Sequence, residues 1–170
     1  MRIESWIDAF QPADGPPPST LMAFVKWALS GSWTILWLAA LASAMAGLME
    51  AGTAFVLGRV IDTAVAGGPD VFFSTQNMAL IVGSVVFFII VRPLFFGLSS
   101  SMNSIAVGPN INPLVTQRLN RWTLGQSITF FDNDFAGRLA QKQMQTARAV
   151  TDVVTEMINV VAFALASLLG

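Results

Sequence analysis

Hydrophobic and polar positions fall in long blocks along this chain, not in the short periods of a soluble domain. From Trp27 to Met49 no residue is charged, and the core that opens Trp33-Thr34-Ile35-Leu36-Trp37-Leu38-Ala39-Ala40-Leu41 is long enough to span, since a crossing takes about 20 residues. A second uncharged block runs from Val71 to Val91. After Arg92 there is again no charge until Arg118, and a third apolar block follows Glu156. Ahead of the first block, Ser19 or Thr20 can start a helix, and Lys26 and Trp27 suit a membrane interface. The pattern predicts a short interfacial helix there, although the same residues also fit the beginning of the first span. The predicted order is a flexible cytoplasmic tail (1–18), the interfacial helix (19–31), span 1 at about 32–66, span 2 at about 77–124, a loop at 125–137, and span 3 from about 138. Gly67-Gly68-Pro69-Asp70 is the turn signal after span 1.

The second helical segment is too long for one crossing. From Asn77 to Leu124 it reaches about 70 Å as a helix, against a hydrocarbon core of roughly 30 Å. A helix that crosses and then projects into the cytoplasm fits, with Gly108-Pro109-Asn110-Ile111-Asn112-Pro113 as a kink in a continuing helix. Lys and Arg are absent between Arg59 and Arg92 and gather as Arg118, Arg121, Arg138, Lys142 and Arg148. The positive-inside rule therefore places the N-terminus and the 118–148 region in the cytoplasm and the Gly67–Gln76 connection outside. The last block, from Met157 onward, gives only about 21 Å of helix, so the chain is expected to be a fragment cut within its third span.

Composition agrees with a membrane protein. Apolar residues make up 54% and charged residues 11%, where a soluble domain has roughly 25% charged. Mean hydropathy is +0.64. A net charge of −1 leaves no footprint for nucleic acid. With no Cys and no His, disulfides, thiolate chemistry, imidazole bases and the usual zinc sites drop out. The acids are scattered without metal-ligand spacing. Residues 1–18, with Glu4, Asp8, Asp14 and Pro16-Pro17-Pro18, do not form a signal peptide.

One polar segment stands apart. Phe130-Phe131-Asp132-Asn133-Asp134-Phe135-Ala136-Gly137 sets three aromatics and two acids beside a glycine, between very apolar stretches. It reads as a cytoplasmic docking element. A capped turn, with Asp132 or Asn133 capping the next helix, fits the same residues.

Long helices projecting into the cytoplasm and joined by such a turn resemble the transmembrane domain of ABC exporters. Leu124 to Leu139 carry the likeness: an aromatic pair (Phe130, Phe131), an acid (Asp132), a few variable residues, then Gly137 and an aliphatic residue. The resemblance covers about residues 20–170. It implies an all-α membrane protein of type 1 exporter architecture, with residues 19–31 as the elbow helix. Phe130, Phe131, Asp132, Asn133, Asp134, Phe135, Ala136 and Gly137 would form the first coupling helix, pressing on a nucleotide-binding domain. The family's basic residue five positions after the glycine is matched by Lys142, but Thr146 stands where an acid is usual, which leaves the family's salt bridge there in doubt. No Gly-x-x-x-x-Gly-Lys-Ser/Thr run occurs, so the chain alone is expected neither to bind nor to hydrolyse ATP. ATP and Mg are implied for a nucleotide-binding domain, fused or separate, with a second permease half as dimer partner. The implied setting is a bacterial-type plasma membrane, the N-terminus cytoplasmic, and the implied activity is ATP-driven export by alternating access.

Glu50 and Arg92 are the charges nearest the lipid core, and their midpoint in sequence, Val71, lies in the outer connection. An antiparallel hairpin puts them at similar depth, as an ion pair or as two groups lining one polar cavity. Separate partners for each, water or another helix, remain open because helical phase is not fixed. Two other functions fit the pattern: a small membrane protein whose cytoplasmic hairpin recruits a soluble partner, and a fragment of an ion-driven secondary transporter.

Overall fold

A computed structural model describes residues 7–127 and 136–169. Among these residues the regular structure is helical, with no strand. Helix α1 spans Leu21–Ala28, α2 Trp33–Phe72, α3 Met78–Leu124 and α4 Gly137–Leu169. The last three are each long and apolar enough to cross a membrane.

Breaks fall where the backbone chemistry demands them. In α2 the helix is interrupted at Gly68 (φ 62°), a left-handed conformation that glycine adopts without a Cβ penalty. The turn expected at Gly67–Asp70 is thus confined to one residue. Pro69 starts a fresh helical turn, where its missing N–H costs nothing, and the reversal follows through Ser74 and Asn77, whose side-chain amide donates to the Val71 carbonyl at 2.9 Å. Helix α3 continues through Gly108–Pro113. A π-helical stretch, Met102–Val107, precedes the prolines, and the Gly108 N–H donates to the Asn103 carbonyl. Pro109 has no N–H to offer the Ile105 carbonyl. The Asn110 amide reaches back instead, to Ile105 O at 3.3 Å and Ala106 O at 3.0 Å. Further π-helical stretches occupy Phe87–Val91 in α3 and Met157–Ala162 in α4.

The chain divides into two compact units. One comprises the residues up to Ala39 together with Ser101–Ile158. Here the end of α3 and the start of α4 pack as a hairpin. Val107, Ile111, Leu114, Val115 and Leu119 supply one buried face, and Ala147, Val150, Val154 and Ile158 the other. Steps of three and four residues put each set on one side of its helix. Ala28, Leu29, Leu36 and Ala39 complete this core. Full burial of each large aliphatic contributes about 1.5–3 kcal/mol before ordering costs.

The other unit comprises Ala40–Ser100 and the chain from Asn159. Ala42, Ser43 and Ala46 are buried along α2. Small side chains there let backbones come close. A Cβ on Gly47 would collide with the Phe163 carbonyl oxygen, and one on Gly52 would lie 3.2 Å from the Phe87 ring. No residue in the most apolar stretch of α3 is buried. Val82, Val85, Ile89, Ile90, Leu94 and Leu98 form an exposed apolar surface, which water does not tolerate on this scale but lipid or neighbouring helices do.

Candidate functional site

Three places hold chemistry that helix formation alone does not require. The first is the predicted coupling element. Phe130, Phe131, Asp132, Asn133, Asp134 and Phe135 lie outside the described residues. Ala136 and Gly137 are helical, at the start of α4. The helices on either side of the element are those of the packed hairpin. Near its end the Gln143 amide donates to the Thr123 hydroxyl. Thr146 turns its hydroxyl back to the Lys142 carbonyl at 2.8 Å.

The second place is a polar centre in the apolar unit. The structure brings Glu50 and Arg92 together: Arg92 Nη2 donates to Glu50 Oε2 at 3.1 Å. Both side chains remain partly open, at 38% exposure for Arg92 and 44% for Glu50. The Arg92 guanidinium also lies 5.0 Å from the Phe96 ring centroid, and Phe96 meets Phe163 edge-on at 6.2 Å. The cation is therefore held by a carboxylate and an aromatic face at once. On the same two helices Ser43 and Ser99 share a hydrogen bond of 3.0 Å. Arg92 Nε is buried and makes no hydrogen bond to any described residue.

The third place is one that sequence reasoning missed. From the sequence Arg118 reads only as one more cytoplasmic positive charge. Its side chain is 3% exposed and binds four backbone carbonyls. Nε donates to Gln11 O at 3.1 Å, Nη1 to Trp27 O and Ala28 O, each at 2.9 Å, and Nη2 to Ser30 O at 2.8 Å. Trp27 and Ala28 end α1, where carbonyls lack intrahelical partners and the helix dipole is negative, although the Trp27 carbonyl also accepts from the Ser30 N–H and hydroxyl. A guanidinium satisfies both needs with its rigid fork of donors. Gln11 belongs to the N-terminal stretch expected as a tail. The described residues of that stretch, from Ile7 onward, are not helical, yet Ile7 is buried, Gln11 O is held by Arg118, and Trp27 Nε1 donates to Asp14 O at 3.1 Å. Gly31 (φ 82°) lies against the Gln11 side chain with no room for a Cβ. A signal was present in the sequence: Arg118 falls on the stripe Ile111, Leu114, Val115, Leu119, so a charge sits on the face that must be buried.

Among the described residues no group of three acidic side chains gathers to hold a metal ion, and ATP has no matching phosphate loop on the chain.

The geometry thus describes an all-helical chain with membrane-length helices and a packed helical hairpin. Comparison with known proteins adds a direction. The chain is 26% identical over 170 residues to a Haemophilus influenzae protein described as an uncharacterized ABC transporter ATP-binding protein, an alignment covering 96% of this chain. The chain spans 27% of that relative's length. No family model matches the chain, and no solved structure matches it.

Proposed function

We propose that this chain is the N-terminal part of the transmembrane domain of an ATP-driven ABC exporter, moving its substrate across a bacterial plasma membrane by alternating access. The observation that carries the proposal is the hairpin of α3 and α4. At 47 residues, α3 is more than twice the length a crossing needs, and the excess is packed against α4 around an apolar core. Phe130–Gly137 runs from the connection after α3 into the first residue of α4. A stiff pair of helices ending in an aromatic and acidic segment suits the transfer of a displacement from a docked protein. Buried aromatics are the side chains that anchor such contacts. The similarity to an ABC transporter ATP-binding protein supports the same reading.

In this proposal Phe130, Phe131, Asp132, Asn133, Asp134, Phe135, Ala136 and Gly137 dock on a nucleotide-binding domain. That domain, fused or separate, supplies ATP and magnesium chemistry, and this chain supplies mechanical linkage. A second permease half completes the transporter as a dimer. The positive charges at Arg118, Arg121, Arg138, Lys142 and Arg148 put the hairpin and the N-terminus on the cytoplasmic side.

The reading frame of the gene tests the proposal. Continuation past the Gly170 codon through further spans to Gly-x-x-x-x-Gly-Lys-Ser/Thr, or an adjacent gene encoding that sequence, is the expected result. A stop codon directly after Gly170 with no ATPase partner gene favours a small recruiting protein and overturns it. Continuation without any ATPase favours a secondary transporter.

A further inference from the structure

A small cavity of about 190 Å³ opens beside the junction of the N-terminal stretch, α1 and α3, lined by Ala13, Gly15, Trp27, Arg118, Arg121 and Trp122. We propose that it receives the phosphodiester headgroup of an anionic phospholipid from the bilayer surface.

The argument starts from the two arginines. Arg118 gives four of its five N–H donors to backbone carbonyls and serves mainly as wall. Arg121, one helical turn further, is exposed and has no hydrogen bond or ion pair with any described residue. Its fork of N–H groups suits phosphate oxygens. Among the described residues no acid lines the cavity. The nearest in sequence, Asp14, contributes its carbonyl oxygen to Trp27 Nε1.

The other walls favour lipid over a soluble anion. Trp27 and Trp122 present two indoles at one opening, and tryptophan concentrates at the headgroup level of membranes. The same compact unit exposes large apolar side chains that water does not favour: Phe10 at 72%, Leu21 at 78% and Met22 at 71%. Leu21 and Met22 open α1, whose last turn carries Lys26. An exposed apolar surface with basic residues beside it is the pattern of a helix lying in the interface. Basic pockets next to membrane helices on the cytoplasmic side take anionic headgroups. The clasp made by Arg118 fixes the cavity walls before any lipid arrives, so little ordering cost remains. This inference needs the membrane location of the chain but not its role in export.

Native mass spectrometry of the full chain, purified in a neutral detergent, tests it. Phosphatidylglycerol and phosphatidylcholine of equal chain length compete for the protein. The expected result is a preference for phosphatidylglycerol that Arg121→Gln lowers by about fivefold, the effect of one basic residue at an anionic surface. Arg121→Lys keeps most of it, and Arg148→Gln, on another groove, leaves it unchanged. Equal binding of the two lipids by the wild type, or a preference untouched by Arg121→Gln, overturns the proposal. Displacement of phosphatidylglycerol by millimolar inorganic phosphate overturns the lipid as source and assigns the cavity to a soluble anion. Should Arg121→Gln not purify, quenching of tryptophan fluorescence by brominated phosphatidylglycerol decides the point: reduced quenching is expected on Trp122→Phe, and identical quenching counts against the site.

Discussion

Replacing Arg118 by alanine removes four charge-assisted hydrogen bonds of 2.8–3.1 Å from a side chain that is 3% exposed. Hydrogen bonds to charged groups contribute about 1.5–3 kcal/mol each, and bonds made by one group do not add. The Ala28 carbonyl is left buried without a partner, which alone costs about 1–3 kcal/mol. Against this stands the recovered cost of burying the guanidinium. A net loss of about 3 kcal/mol follows, localised to the contact between α1, the N-terminal stretch and α3. At 1.4 kcal/mol per tenfold change in an equilibrium, amides of Leu21–Leu36 that exchange by opening this contact should exchange about 100-fold faster. Hydrogen–deuterium exchange of the purified chain in detergent reads this directly. Arg118→Lys, with three donors on a point charge in place of a planar fork, should fall between wild type and alanine. Unchanged exchange over residues 21–36 in Arg118→Ala would refute the clasp.

Other perturbations test the remaining contacts. Glu50→Gln and Arg92→Gln each strand one charge near the apolar block, and the double change strands neither. Each single variant should therefore melt below the double variant in lipid nanodiscs, with a coupling of about 1 kcal/mol, modest because both side chains are partly exposed. Simple additivity counts against the pair. Gly47→Val places two extra methyl groups where even a Cβ meets the Phe163 carbonyl. It should destabilise the chain by about 2 kcal/mol or more, seen as a lowered melting temperature, whereas Gly83→Ala, with open space around it, should be near neutral.

Much of the architecture was legible because the bilayer simplifies the code. Runs without charge, such as Trp27–Met49, can only be spans or buried helices, and length separates the two. The helix through Pro109 and Pro113 was expected to continue, but the means was not legible, since a π-helical stretch and the Asn110 amide depend on local geometry. The turn at Gly67–Asp70 shrank to Gly68 because proline both breaks a helix and starts one. Glu50 and Arg92 were singled out by cost, yet sequence spacing over a connection of unknown shape could not fix their facing. Arg118 was hidden for the opposite reason. Its partners are backbone carbonyls far away along the chain, and carbonyls carry no sequence signature. The proposed coupling element rests on composition and resemblance, and its six leading residues lie outside those described.

The central claim is that Phe130–Gly137 docks on an ATPase. Residues 1–170 contain no cysteine, so one placed at Phe131 is unique within them, and any cysteine elsewhere in the gene product is first replaced by serine. A single cysteine at Phe131, carrying a photo-activated cross-linker, is expressed from the intact gene in native membranes, and the products are identified by mass spectrometry. The account predicts cross-links to a domain bearing Gly-x-x-x-x-Gly-Lys-Ser/Thr, with a yield that changes when ATP is added. Cross-links confined to lipid, or to the neighbouring helices α3 and α4, would contradict it.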